Sequence, residues 1–205
     1  MPRAHRDLPD EDLMLAYARG DLAAFDVLYA RHEAGLFRFV RRLLGAPLAN
    51  QADEVFQDTW LRIVKAREGF APQGARWKTW AFTIAHNLAL DRLRTGGREV
   101  PVDGAAEGGE ERMDWLMAQL DRSHPSTEDE AYWRAAGAQL LHCLDELPDA
   151  QRAAFLLHHE DGASVEDLAA RLGLPFETAK SRLRYALQKL RGCMRSYLEV
   201  WEKPA

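Results

Sequence analysis

The stretch Ala163–Arg191, ASVEDLAARLGLPFETAKSRLRYALQKLR, decides the fold of the C-terminal half. Ser164 and Asp167 have the spacing of an N-terminal capping box, which starts a short helix. Leu172, Gly173, Leu174 and Pro175 then form a turn, with the glycine where the chain must bend sharply and the proline opening a second, longer helix. In that second helix Ala179, Leu183, Leu187 and Leu190 recur at three- and four-residue steps and point inward, which leaves Glu177, Lys180, Ser181 and Arg184 outward on its N-terminal half. A short helix, a tight turn and a longer basic helix make the helix-turn-helix pattern, whose second helix presents its N-terminal residues to base edges in a major groove. Between Arg171 and Arg195 seven cations (Arg171, Lys180, Arg182, Arg184, Lys189, Arg191 and Arg195) stand against Glu177 alone, in a chain whose net charge is -5. A plain bundle helix would also carry cations near its C-terminus, to complement its dipole. Here the charge begins at the first turn, where phosphates would be met.

Working outward, TEDEAYWRAAGAQLLHCLDEL reads as a helix ended by Pro148, and DAQRAAFLLHHE as another ended near Gly162. Upstream lies a segment rich in glycine and proline, with no long apolar period. Between Arg98 and Glu130 it holds ten acids against three arginines. A structureless stretch of that length inside one compact domain is unusual, so it reads as a flexible acidic linker between two domains. The N-terminal half shows four helical periods. Pro9 and Asp10 start the first, which Gly20 stops; Phe25, Leu28, Tyr29, Leu36, Phe39, Val40 and Leu43 pattern the second up to Gly45 and Pro47. Val55, Phe56, Trp60, Ile63 and Val64 turn inward on the third. The fourth is WKTWAFTIAHNLALDRLR, Trp77–Arg94, where Trp80, Ile84 and Leu88 form one stripe that looks like core, while Thr83, Asn87 and Asp91 with Arg94 form another. The expected fold is all-α: two small helical domains, 8–95 and 131–200, joined by a linker over 96–130.

Composition narrows the function. A pI near 5.8 excludes a uniformly basic nucleic-acid coat. Cys143 and Cys193 lack CxxC spacing, so they read as buried or inert thiols in a reducing compartment, not as a disulfide scaffold or metal site. The start, MPRAHRDLPDEDL, carries no signal-peptide apolar run, and no stretch of about 18 apolar residues occurs; a cytoplasmic protein without membrane insertion is expected. The one cluster with catalytic residue types, His158, His159, Glu160 and Asp161, is four consecutive positions that point around a helix instead of converging. The expectation is therefore no enzyme, no catalytic residue, no metal and no cofactor.

Two motif sets make the reading specific. Leu144–Arg191, with its Leu-Pro-x-x-Gln-Arg entry and its Thr-x-Lys-Ser-Arg-Leu helix, resembles the C-terminal region of bacterial RNA polymerase sigma factors of the extracytoplasmic-function group, in the sigma-70 family. AAFDVLYARHEAGLFRFVRR, ADEVFQDTWLRIV and WKTWAFTIAHNLALDRLR are similar, in order, to the blocks of that group's first domain. The family pattern has a small residue and glycine before the recognition-helix threonine, where this chain has Phe176 and Glu177. The resemblance implies a factor that binds core polymerase and directs promoter recognition, DNA melting and initiation. It implies upstream-element contacts from Thr178, Lys180, Ser181, Arg182, Arg184 and Tyr185. It implies capture of the start-proximal element as single strand, with a flipped base, by Trp77, Thr79, Asn87, Asp91, Arg92, Arg94 and the loop from Phe70 to Lys78. It places Asp53, Gln57, Asp58, Leu61 and Arg62 on the clamp helices of the largest polymerase subunit, puts the flap among the polymerase contacts, and leaves room for an anti-sigma protein. The alternative is a stand-alone helix-turn-helix regulator whose N-terminal half senses a ligand or dimerises.

Overall fold

The computed structural model describes residues 5–72, 76–95, 113, 116–117, 120 and 127–198; it divides into two units, Met1–Arg98 and Glu99–Ala205. Among the described residues there are helices and no strands, as the apolar periods require.

The first unit holds α1 (Asp10–Ala18), α2 (Leu22–Leu44), α3 (Ala52–Lys65) and α4 (Trp77–Thr95). Local chemistry sets each boundary. Asp10, Glu11 and Asp12 place three carboxylates at the positive end of α1. Asp21 caps α2 by accepting from the amides of Ala23 at 3.1 Å and Ala24 at 3.3 Å. Gly45, at φ 69°, ends α2 in a conformation a side chain would resist. The core is Leu13 and Met14 of α1, Leu28, Leu36, Phe39, Val40 and Leu43 of α2, Val55, Trp60 and Ile63 of α3, and the inner face of α4.

That inner face corrects the expected stripe. The buried residues of α4 are Trp77, Ala81, Ala85, Ala89 and Leu93, with Phe82 and His86 beside them, whereas Trp80, Ile84 and Leu88 are half-buried. A ladder of three alanines spaced four residues apart, Ala81, Ala85 and Ala89, lets α2 and α3 pack closely on this helix. Alanine carries too little apolar signal to mark the inner face in the sequence. Phe82 meets Phe39 at 5.0 Å between ring centroids.

The second unit holds α5 (Thr127–Asp145), α6 (Asp149–Asp161), α7 (Val165–Leu172), α8 (Phe176–Cys193) and the single turn α9 (Arg195–Leu198). Helix α8 is its axis, packed by α5, α6, α7 and α9. The capping box at the start of α7 forms as expected: Ser164 Oγ accepts from the Asp167 amide at 3.1 Å, and Asp167 Oδ2 accepts from the Ser164 amide at 3.0 Å. Gly173 ends α7 at φ 63°, the left-handed conformation that makes the tight turn.

Two expectations for this unit change. Helix α5 begins at Thr127, where the helical reading of TEDEAYWRAAGAQLLHCLDEL begins, and so overlaps the end of the 96–130 segment; within that segment Met113, Leu116 and Met117 are buried, and a Cβ on Gly137 would lie 3.7 Å from Leu120 Cδ2. These four apolar residues recur at helical spacing, which supplies a reason to bury them; most of 96–126 lies outside the described residues. Cys143 and Cys193 are not inert thiols. They are joined in a disulfide, their Cα atoms 5.9 Å apart, that fastens α5 to the last turn of α8. The pair is 50 residues apart in sequence and is brought together only by helix packing, so no local spacing announces it.

Candidate nucleic-acid and polymerase interfaces

Helix α8 presents the expected surface. Ala179, Leu183, Leu187 and Leu190, with Ala186, are buried against the unit, which fixes the rotation of the helix. Lys180 is exposed, and Thr178, Ser181, Arg182, Arg184 and Tyr185 are partly exposed. Arg184 lies over the Tyr185 ring, 5.1 Å from its centroid, which holds its guanidinium at the surface.

The support beneath this surface is ionic. Arg152 of α6 is fully buried, with Asp149 Oδ1 at 2.5 Å and Asp145 Oδ1 at 3.6 Å. Arg171 at the end of α7 pairs with buried Asp161 at the end of α6, so two helix C-termini are tied beside the turn. His158 Nδ1 lies 2.7 Å from the Ala163 carbonyl, and the His159 ring meets Phe155 at 4.3 Å. Residues with catalytic side chains are here used in helix termination and packing.

On α3 the outward face matches expectation. Asp53, Gln57, Leu61 and Arg62 are exposed, Asp58 is half-exposed, and Val55, Thr59, Trp60 and Ile63 are buried behind them. Leu61 keeps 54% of its surface in water, although apolar positions for it exist on the other side of the same helix. Phe56 and Val64 are half-buried.

On α4 the structure redistributes the expected set. Asn87, Asp91 and Arg94 are exposed and line up with half-buried Thr79 and Thr83, whose hydroxyl donates to the Thr79 carbonyl at 2.8 Å. Trp77 does not belong with them. It is 0% exposed, its ring 4.5 Å from His32 and 6.2 Å from Trp60, and its amide donates to Glu11 Oε1 at 2.8 Å. A ring so enclosed cannot stack on a base. Trp80, expected in the core, instead sits half-buried against Phe70 at 5.3 Å. Phe70 is itself buried, and 73–75 of the expected capture loop lie outside the described residues. His86 is buried, with Nδ1 3.3 Å from Asn87 Oδ1.

Arg92 also has a different setting. Its guanidinium donates to Glu54 at 2.6 Å and lies 3.5 Å from Asp58, joining α4 to α3. A phosphate would have to compete with two carboxylates. Glu54 was not singled out from the sequence. Its spacing from Asp58 puts both acids on one side of α3, but their partner is 38 and 34 residues further on.

The α1–α2 contact adds a part-buried carboxylate cluster. His32 Nε2 is 2.7 Å from Asp10 Oδ2, and Arg31 also pairs with Asp10. Burial raises the Asp10 carboxyl pKa, but hydrogen bonds and charge from His32 and Arg31 outweigh it and hold the group below its ordinary value.

Comparison with known proteins bears on both halves. Residues 28–99 match the family described as Sigma-70 region 2, and residues 137–190 match Sigma-70, region 4. The ECF RNA polymerase sigma factor RpoE of Cereibacter sphaeroides is 32% identical over 171 residues, covering 83% of this chain and 86% of the relative. The ECF RNA polymerase sigma factor SigK of Mycolicibacterium vanbaalenii is 29% identical over 185 residues, covering 89% and 87%. Among solved structures, CnrH in complex with the cytosolic domain of CnrY aligns with a TM-score of 0.58 at 24% identity, covering 91% of this chain and 97% of that one. The sigma factor RpoE in complex with the anti-sigma factor NepR, from Bartonella quintana, aligns with a TM-score of 0.57 at 23% identity, covering 83% and 96%. These two share the fold.

Proposed function

The chain belongs to the extracytoplasmic-function group of sigma-70 RNA polymerase sigma factors, and we propose that it divides the work of promoter-specific initiation among three surfaces. As a sigma factor it binds core polymerase and promoter DNA; a stand-alone regulator is not favoured, because a region 2 domain occupies the half that a sensor would need. Proteins of this family act by binding; we take the chain to be a non-enzyme and to work in the cytoplasm.

The first surface is the outward face of α3: Asp53, Gln57, Asp58, Leu61 and Arg62 dock on the clamp helices of the largest subunit. The second is the polar side of α4, where Thr79, Asn87, Asp91 and Arg94 receive the start-proximal element as single strand and Asn87 hydrogen-bonds a flipped base. Arg92 steadies α3 against α4 and reaches a phosphate only by leaving Glu54. The third is α8, whose Thr178, Lys180, Ser181, Arg182, Arg184 and Tyr185 read the upstream element, while the second unit also meets the flap. An anti-sigma protein, such as the partner named for the Bartonella quintana relative, is a further expected ligand.

Exposure of Leu61 carries this reading. A leucine held in water on a helix whose other large apolar residues are at least half-buried is what a docking surface requires. The test is replacement of Leu61 by Glu. In the free chain the change costs little, within about 0.5 kcal/mol for an exposed site. In the complex it loses apolar contact and must desolvate a carboxylate, and each 1.4 kcal/mol is about tenfold in affinity. A variant that melts normally and still captures core polymerase like wild type would remove the interface. The variant Asp58→Arg is less clean, because it would set a second cation 3.5 Å from where Arg92 now meets a carboxylate.

A further inference from the structure

Phe176 and Glu177 open α8, and neither is explained by packing. Phe176 leaves 42% of its surface in water and is one of four exposed large hydrophobic residues among those described. Its rotation follows from the buried stripe: three residues before Ala179 and four before Lys180, it borders the cationic surface at the end where a recognition helix is nearest the bases. Glu177 is exposed and shares its side of the helix with Lys180, Ser181 and Arg184. It is the sole acid between Arg171 and Arg195, and it makes no ion pair among the described residues. An unpaired carboxylate on a surface that approaches phosphates weakens binding to every sequence alike. In the complex that loss is offset where the carboxylate meets a hydrogen-bond donor on a base.

In the major groove the donors are the exocyclic amines of cytosine and adenine. Carboxylates pair with cytosine N4, because adenine presents its acceptor N7 beside its amine and repels a carboxylate there; guanine O6 and N7 and thymine O4 are acceptors only. An exposed phenyl ring in the same groove has one apolar partner, the thymine 5-methyl group. We propose that Phe176 and Glu177 are specificity-determining residues of the upstream element. Glu177 accepts from a cytosine N4 amine and rejects guanine and thymine at that position, and Phe176 packs on the methyl of a neighbouring thymine. This rests on the reading that α8 enters the major groove, and it adds two positions that the Thr-x-Lys-Ser-Arg motif does not contain. A helix-start acid with only a dipole role would change stability and leave base preference untouched.

The test uses the full chain assembled with core polymerase and a duplex library randomised across the upstream element. Wild type selects cytosine at one position, and Glu177→Gln loses that preference by on the order of tenfold, the size of one good base contact. Replacing thymines by deoxyuracil one at a time weakens wild-type binding several-fold at one site and leaves Phe176→Ala indifferent. Lys180→Ala is the companion variant. If it alters selection while Glu177→Gln and Phe176→Ala select like wild type and the uracil scan is flat, the assignment of these two residues is overturned. If all three variants select like wild type, the placement of α8 falls with it.

Discussion

Trp77→Ala separates a structural tryptophan from a DNA-stacking one, and the structure fixes the magnitude. The ring is fully enclosed, in contact with His32 and Trp60, and its Nε1 finds no partner among the described residues. Truncation removes apolar contact on all sides, breaks no side-chain hydrogen bond, and leaves a cavity that two helices must close around. Deletions of this kind cost about 3–5 kcal/mol. A domain has about 5–15 kcal/mol to lose, and one of roughly 100 residues shifts its melting point by about 4–8 °C per kcal/mol. The first unit of the variant should therefore melt at least about 12 °C lower. Trp77→Phe keeps a ring against both neighbours and loses only a fraction of this. Asn87→Ala, on the exposed side of the same helix, should leave the melt within about 0.5 kcal/mol, yet should impair opening of a duplex promoter more than binding to a premelted one. Circular-dichroism melts beside single-strand capture below the transition give the comparison. A Trp77→Ala chain that melts like wild type but no longer holds single-stranded bait would refute the reasoning and return the indole to the surface.

Three further outcomes follow from other contacts. Reducing the Cys143–Cys193 bond opens a loop spanned by 50 residues of sequence, and chain entropy puts its contribution at about 4 kcal/mol; the second unit should unfold at clearly lower urea in reductant, and coincident curves for oxidised and reduced chains would contradict this. Asp10 has a folded-state pKa below its ordinary 3.8, so its stabilisation is complete above that value and is lost as pH falls through the folded pKa. Asp10→Asn should lower stability at neutral pH and flatten the acid limb of the first unit's unfolding curve; an unaltered limb would show that the His32 and Arg31 contacts carry no free energy. Arg92→Ala removes the ion pairs to Glu54 and Asp58, surface contacts worth about 0–1 kcal/mol each, so it should lower the melt only slightly; a large drop in stability would show that the α3–α4 contact depends on it.

How well the sequence disclosed these features depended on residue size and on distance along the chain. Helix α8 was legible because its inner stripe is leucine and its outer one is charged, and both the capping box and the glycine turn are local signals. Helix α4 was legible as a helix but not in its rotation, since its buried ladder is alanine and its most prominent residue, Trp80, lies at the margin. The exposed α3 residues followed directly once the inward stripe was subtracted. What stayed hidden came from tertiary packing alone: Arg92 reaching Glu54, His32 reaching Asp10, and two cysteines meeting across α5 and α8. None has a partner within a helical turn, so no periodicity could mark it.

Run-off transcription from a duplex promoter with purified core polymerase tests the central claim most directly. A discrete transcript should require both the chain and core enzyme. It should vanish with Leu61→Glu although that variant melts as wild type, and it should return for Asn87→Ala when the start-proximal element is premelted. A chain that binds the duplex tightly by itself and yields no specific transcript with core polymerase would contradict the account.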